Sequence, residues 1–233
     1  MNPVFTEGIE SLARMIDEGK LSSAQLIEET LGRIDEVNSD LNAIVRISET
    51  ARSEAELADR ELKSGKRKSV VHGIPFTVKD TFDTKGLVSS AGTEGRRNYV
   101  PDRDAAVVRK LREAGAIVIG KTNAPELAMT FDTDNLLFGR TRNPFDTTRT
   151  AGGSSGGEAA AIASGCSVFG IGSDTGGSIR FPAHFCGLCG LKPTTGTVSR
   201  AGHITLPGGL LDPMTLAGPI TRTAGDLWTI FGI

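Results

Sequence analysis

Residues 152–178 read GGSSGGEAAAIASGCSVFGIGSDTGGS, a helix-like and a strand-like segment flanked by glycine- and serine-rich turns. Ser155 followed three positions later by Glu158 is the pattern of a capping box, so we expect a helix from there to about Ser164. Residues 168–171 are short and apolar, which favours a strand inside a sheet. Alternation of helix and buried strand is typical of an α/β domain.

The same alternation precedes this stretch. Residues 74–78 and 116–119 predict two more buried strands, and the segment 105–114 between them predicts a helix that Asp104 would cap. Residues 1–66 contain three successive segments with apolar residues at helical spacing. We therefore expect a helical N-terminal part followed by an α/β part with a largely buried sheet.

Composition and charge exclude several classes of protein. The 233 residues are 38% hydrophobic and 23% charged, and the formal net charge is −2, which does not favour binding to nucleic-acid phosphates. No apolar run approaches the ~20 residues that cross a bilayer, and no signal peptide is visible. We expect a soluble cytoplasmic protein with no nucleic-acid partner and no membrane span.

The three cysteines do not suggest a metal site. Cys186 and Cys189 have C-x-x-C spacing, but a second pair is missing, and adding His184 gives only three ligands. An odd number of cysteines cannot form a complete disulfide framework and favours a reducing compartment. We expect no metal and no cofactor.

Residues 115–122 match the P-loop pattern G-x-x-x-x-G-K-[ST]. A P-loop follows a strand and presents backbone amides from a polar turn. Here the preceding element is a predicted helix, and the four interior residues are apolar and strand-like. We therefore disfavour a nucleotide-binding function.

Residues 152–156 also fit G-x-S-x-G, the nucleophile elbow of α/β-hydrolases. Asp174 followed by His184 or His203 could complete a Ser-His-Asp triad. An elbow lies between a strand and a helix, however, and residues 144–150 do not resemble a strand. This triad therefore stays as an alternative.

A serine can also be activated without histidine, by a lysine of lowered pKa. Lys79 follows the apolar segment 74–78, and burial there would lower its pKa. Its neighbour Asp80 would oppose that shift unless the carboxylate points elsewhere. Backbone amides of the turn before Ser178 could stabilise a developing oxyanion.

The glycine–serine motifs and their surroundings resemble the amidase signature family over nearly the whole chain. The segments that carry the resemblance are 73–80, 120–123, 152–163, 172–183, 187–194 and 217–223. The resemblance implies an amidase-signature fold, in which a mixed β-sheet core is covered by helices on both faces and preceded by a helical segment.

By the same resemblance, the chain carries a Ser–cis-Ser–Lys triad. Ser178 is the implied nucleophile, and Ser154, entered through a cis peptide from Gly153, is the implied bridging serine. Lys79 is the implied base and later returns the proton to the leaving amine through Ser154. Independently of the resemblance, the turn that ends at Ser178 offers candidate oxyanion and substrate-binding groups, which are Thr175, Gly176, Gly177 and Ser178.

The resemblance implies a hydrolase that cleaves the C–N bond of a small-molecule carboxylic amide through an acyl-enzyme. Phe181 and Phe185 resemble broad or fatty-acid-type amidases more than the transamidating component of glutamyl-tRNA amidotransferase. A homodimer is our candidate oligomeric state.

Family members are generally about twice as long, so we expect a single truncated amidase domain over 1–233 that lacks the C-terminal part of the fold. Within it, 1–66 is the N-terminal helical part and 67–233 the catalytic α/β part. The alternative function is an inactive fragment, or a component resembling the amidase-like chain of glutamyl-tRNA amidotransferase.

Overall fold

A central six-stranded sheet organises the computed structural model, which describes residues 3–204 and 212–233. The strands of the described residues are β1 (Ile44–Ile47), β2 (Pro75–Lys79), β3 (Ile117–Thr122), β4 (Arg142–Asn143), β5 (Asp146–Thr150), β6 (Phe169–Asp174), β7 (Cys189–Gly190) and β8 (Leu216–Thr221). Their helices are α1 (Ile9–Asp17), α2 (Ser23–Leu41), α3 (Ala51–Lys63), α4 (Ala106–Glu113), α5 (Gly156–Ala163), α6 (Arg180–Phe185) and α7 (Ala224–Phe231).

The strand order in the sheet is β1-β3-β2-β6-β8-β7. Strand β2 lies inside it and pairs in parallel with β3 on one side and β6 on the other. The outer pairings, β1 with β3 and β8 with β6 and β7, are antiparallel. The prediction of a mixed sheet is therefore confirmed.

Helices cover both faces of this sheet, as the resemblance implied. On one face, Phe76 and Val78 of β2 belong to a core that includes residues of α1, α4 and α7. On the other face, Ile117 and Ile119 of β3 pack with residues of α2, α3 and α5. The central strands are consequently buried on both sides, which explains their continuous apolar character.

The helix starts show where local patterns were sufficient and where they were not. Helix α2 has a capping box between Ser22 and Gln25. The capping box predicted at Ser155 is wrong, because neither that serine nor Glu158 makes the capping bonds, although α5 begins at the expected place. Asp104 does not cap α4, since its carboxylate accepts a hydrogen bond from the backbone N–H of Lys85 at 2.7 Å.

One predicted loop is a strand. Residues 146–150, which we expected not to be a strand, form β5 and pair with β4 in a separate two-stranded sheet. This segment is polar and largely exposed, so it lacks the apolar pattern by which buried strands are recognised.

None of the described helices combines the length and apolar character that crossing a membrane requires.

Candidate active site

The site is built around Lys79, the last residue of β2, whose side chain is fully buried. Its Nζ donates a hydrogen bond to Ser154 Oγ at 2.6 Å and another to Ser173 Oγ at 3.0 Å. Burial lowers the pKa of Lys79 to about 7, although the charges of Asp174 and Glu158 act in the opposite direction. A substantial fraction of this lysine can therefore be neutral near pH 7.

Asp80 points away from Lys79, which meets the condition that we set from the sequence. Successive residues of a strand face opposite sides of the sheet. The Asp80 carboxylate accepts a hydrogen bond from Ser90 Oγ at 2.5 Å and lies 3.7 Å from Lys121 Nζ.

Ser154 lies directly before α5 and is buried. The peptide between Gly153 and Ser154 is cis, as the resemblance implied. A Cβ on Gly153 would stand 2.8 Å from the backbone carbon of Phe131, so only glycine fits there. The backbone of residues 130–132 therefore lies in close contact with this turn.

Asp174, at the end of β6, organises the turn that contains Ser178. Its carboxylate accepts backbone N–H bonds from Gly177 at 2.7 Å, Ile179 at 3.0 Å and Arg180 at 3.3 Å. The Arg180 guanidinium donates two more hydrogen bonds to it, both at 3.0 Å. Although burial acts to raise the pKa of Asp174, these donors outweigh it and hold the pKa below its ordinary value. Asp174 is thus a carboxylate around which the turn folds.

The two serine turns meet through the backbone, since the N–H of Ser155 donates to the carbonyl of Ser178 at 3.1 Å. Of the four predicted oxyanion groups, the N–H of Gly177 is already bonded to Asp174. The N–H groups of Thr175, Gly176 and Ser178 donate no hydrogen bond to the described residues.

The histidines of the alternative triad, His184 and His203, form no hydrogen bond with Ser154 or Ser178. His184 lies in α6 with an exposed side chain. His203 is buried edge-to-face against the Phe82 ring, at 4.6 Å between centroids. Burial, and to a lesser degree the charge of Lys79, lowers the pKa of His203 to about 3, so its ring is neutral at ordinary pH.

The P-loop match is a buried strand, as its sequence context indicated. Residues 117–122 are β3 itself, and Lys121 is fully buried. Its Nζ donates to the Phe82 carbonyl at 2.5 Å and to Ser89 Oγ at 2.9 Å. It therefore has no open loop beside it in which to receive a phosphate.

The C-x-x-C pair also has local partners. The Cys186 thiol faces the Ala151 carbonyl at 3.7 Å, and the Cys189 thiol faces the Arg222 carbonyl at 3.9 Å. Within 3–204 and 212–233, no three His, Cys, Asp or Glu side chains are grouped as a metal site would need.

Two residues of the site were missed by sequence reasoning. Ser173 contacts Lys79, but it carries no signal beyond its position in the motif. Glu158 was assigned to a capping box, whereas its carboxylate is fully buried and accepts a hydrogen bond from Thr122 Oγ1. A lone acid before a run of alanines and isoleucine was the available signal that this side chain faces the core.

The family model for amidases matches residues 25–232. The chain belongs to the amidase signature family. It is 41% identical over 223 residues to the A subunit of the glutamyl-tRNA(Gln) amidotransferase from Exiguobacterium sibiricum, covering 96% of this chain and 45% of that relative. The chain thus spans a little under half the length of this curated relative.

Solved amidases share the fold. The peptide amidase of Stenotrophomonas maltophilia superposes with a TM-score of 0.90 at 35% identity, covering 96% of this chain and 47% of that one. A fatty acid amide hydrolase superposes with a TM-score of 0.93 at 31% identity, covering 98% and 41%. Both matches cover nearly the whole of this chain.

Proposed function

We propose that this chain carries the catalytic centre of an amide hydrolase, with Ser178 as nucleophile, Ser154 as proton relay and Lys79 as base. The observation that carries the proposal is the 2.6 Å hydrogen bond between Lys79 Nζ and Ser154 Oγ in a fully buried setting. Lysine in water is almost entirely protonated at neutral pH and is a poor base. A lysine whose pKa is about 7 can accept a proton at that pH.

In the attack step, Ser178 Oγ bonds to the carbonyl carbon of the amide while its proton passes to Ser154. The proton of Ser154 passes in turn to Lys79. The carbonyl π electrons move to oxygen, and the N–H groups of Thr175, Gly176 and Ser178, which donate to none of the described residues, are available to stabilise that anion. The charge is balanced, since a lysine cation and an oxyanion form together.

In the second step, the carbonyl reforms and the C–N bond breaks. Lys79 returns its proton through Ser154 to the leaving nitrogen, and the amine departs. Water then hydrolyses the ester on Ser178 by the same proton transfers. The backbone bond between Ser155 and Ser178 supports this assignment because it holds the two serine turns side by side.

The surroundings of Ser178 favour a substrate with an apolar acyl group. The exposed Phe181 ring packs so closely on Gly177 that a Cβ there would lie 2.6 Å from it. Phe131, also exposed, meets Phe181 edge-to-face at 5.4 Å between centroids. A small-molecule amide with an aliphatic or aromatic acyl part would cover these rings.

A fluorophosphonate probe tests the proposal without a known substrate, because it reacts with activated serines. We expect the chain to be labelled, and we expect Ser178→Ala to abolish the labelling. Ser53→Ala, a matched change at an exposed serine of α3, should label like the wild type.

A second candidate function is that of a non-catalytic component of a larger enzyme, favoured by the 41% identity to part of an amidotransferase. A folded sample that fails to react with the probe would support this candidate and would contradict hydrolysis by this chain. Sedimentation of the same sample would test the proposed homodimer.

A further inference from the structure

Glu158 is a buried acid that the proposed proton transfers leave unused. It lies in the first turn of α5, four residues after Ser154, and its side chain is completely buried. Thr122 Oγ1 donates to its Oε2, whereas no described residue completes a hydrogen bond to its Oε1, toward which the Thr77 hydroxyl and the Ile171 N–H are the nearest dipoles. A buried carboxyl oxygen without a donor is costly and calls for an explanation.

The sheet register places this carboxyl on the Lys79 side. Lys79 pairs with Thr122 of β3, and Thr77, two residues earlier on the same face, pairs with Gly170 of β6. A Cβ on Gly170 would stand 1.9 Å from Glu158 Oε1, so the missing side chain makes room for the carboxyl. Glu158 therefore packs on the face from which Lys79 projects.

Few other charges face this position from the elements that pack on α5. Strand β3 contributes Lys121, whose side chain leaves the opposite face of the sheet but whose pKa the Glu158 charge still acts to raise. Strand β6 contributes Asp174, whose charge is paired with Arg180 of α6. His184 of α6 is exposed, and Arg46 of β1 lies over an aromatic ring at 5.0 Å. Strand β8 has no charged residue.

The electrostatics agree with this placement. Burial raises the pKa of Glu158 to about 7, and the Thr122 and Thr77 hydroxyls, the Ile171 N–H and, to a smaller degree, the Lys79 charge oppose that rise. Burial lowers the pKa of Lys79 to about 7, and the charges of Asp174 and, to a smaller degree, Glu158 act to raise it. Two groups that interact in this way titrate as a pair rather than independently.

We propose that Glu158 is a positioning residue for Lys79, whose carboxylate supplies the buried negative charge opposite the lysine when it accepts the serine proton. This inference rests on the proposed function. A lysine cation that forms in a fully buried site is stabilised by a counter-charge, and a carboxylate on the same face of the sheet provides one without touching the substrate. The reaction places a positive charge on Lys79 opposite the Glu158 carboxylate, and the proton comes from Ser178 through Ser154.

The first test is the pH dependence of the rate of fluorophosphonate labelling in Glu158→Gln. Without the carboxylate, the Lys79 cation loses stabilisation, so the pKa of Lys79 falls. The acid limb of the curve of labelling rate against pH, where the rate rises as Lys79 loses its proton, should then move to lower pH by about one unit. The matched control is Asp226→Asn, since Asp226 is also buried but accepts from the Ile9 N–H at 2.7 Å, at the start of α1. This variant should leave the limb in place. An acid limb at the wild-type pH in Glu158→Gln would overturn the proposal, whatever the loss of stability.

The second test requires no activity. In protein with ¹³C-labelled glutamate carboxyls, the Glu158 signal, assigned by its absence in Glu158→Gln, should titrate near pH 7. In Lys79→Met it should titrate about one unit higher, because linkage between two groups is reciprocal. An unchanged midpoint would overturn the pairing. If the midpoint is raised in Lys79→Met but the probe does not label the wild-type protein, the interaction between Glu158 and Lys79 stands and the proposed hydrolase is contradicted.

Discussion

Two lysines on neighbouring strands, Lys79 of β2 and Lys121 of β3, are equally buried but have different partners. Lys79 Nζ donates to two hydroxyls, those of Ser154 and Ser173. Lys121 Nζ donates to a carbonyl and the Ser89 hydroxyl and lies 3.7 Å from the Asp80 carboxylate. Burial lowers the pKa of both, to about 7 for Lys79 and about 8 for Lys121.

The register explains the difference. Lys121 pairs with Val78, the residue before Lys79, so the two lysine side chains leave the sheet on opposite faces. One side chain reaches the serine turns, and the other reaches the chain that follows β2. Burial alone therefore does not make a lysine a base. Lys121 has a carboxylate 3.7 Å from its amine, whereas the hydrogen-bond partners of Lys79 Nζ are hydroxyls, so we expect Lys79 to exchange protons more readily.

The largest expected difference is in reactivity. Lys79→Met should slow fluorophosphonate labelling about a thousandfold, because the proposed serine relay loses its base. Lys121→Met, measured where the protein is folded, should label within about tenfold of the wild type. Equal losses in the two variants would show that both lysines serve structure alone.

The next difference is in stability. Lys121→Met leaves the buried Asp80 carboxylate without its cation and should lower the free energy of unfolding by about 3–5 kcal/mol. Adding Asp80→Asn should recover part of this loss in urea titrations. A double variant as unstable as Lys121→Met would mean that packing of the lysine stem, rather than its charge, is what matters.

The pH dependence of stability separates the lysines further. Between its pKa in the folded protein and the ordinary value of 10.5, each lysine is protonated in the unfolded chain but neutral in the folded one, so its contribution to stability rises with pH. This window begins at about pH 7 for Lys79 and at about pH 8 for Lys121. Lys79→Met should therefore flatten the curve between pH 7 and 8, where one pKa unit corresponds to about 1.4 kcal/mol. The free energy of unfolding, measured at half-unit steps of pH, gives this slope. If the slope between pH 7 and 8 is the same in Lys79→Met as in the wild type, the pH dependence in that window comes from other groups.

The smallest expected effects are at the hydroxyls. Ser173→Ala removes one of the two Lys79 partners and should slow labelling by less than about tenfold, since a hydrogen bond between uncharged groups contributes about 1 kcal/mol. Ser89→Ala makes the same change beside Lys121 and should alter stability but not labelling. A labelling defect in the second variant alone would reverse the roles of the lysines.

Local patterns predicted the elements that carry the site better than the contacts within it. The apolar segments gave β2, β3 and β6 because strands buried on both faces must be continuously apolar. The exposed strand β5 has no such pattern and was missed. Glu158 fits a capping box in sequence, but the buried carboxyl lies against Gly170, a neighbour supplied by the fold.

The sequence by itself determined the α/β alternation, the glycine turns and the family, because these depend on residue types at short spacing. It also provided Lys79, Ser154 and Ser178 as candidates for the triad. The tertiary structure decided which partner each buried charge meets. Strand register directs Lys79 to Ser154 and Lys121 toward Asp80, and register depends on pairing between segments distant in the chain.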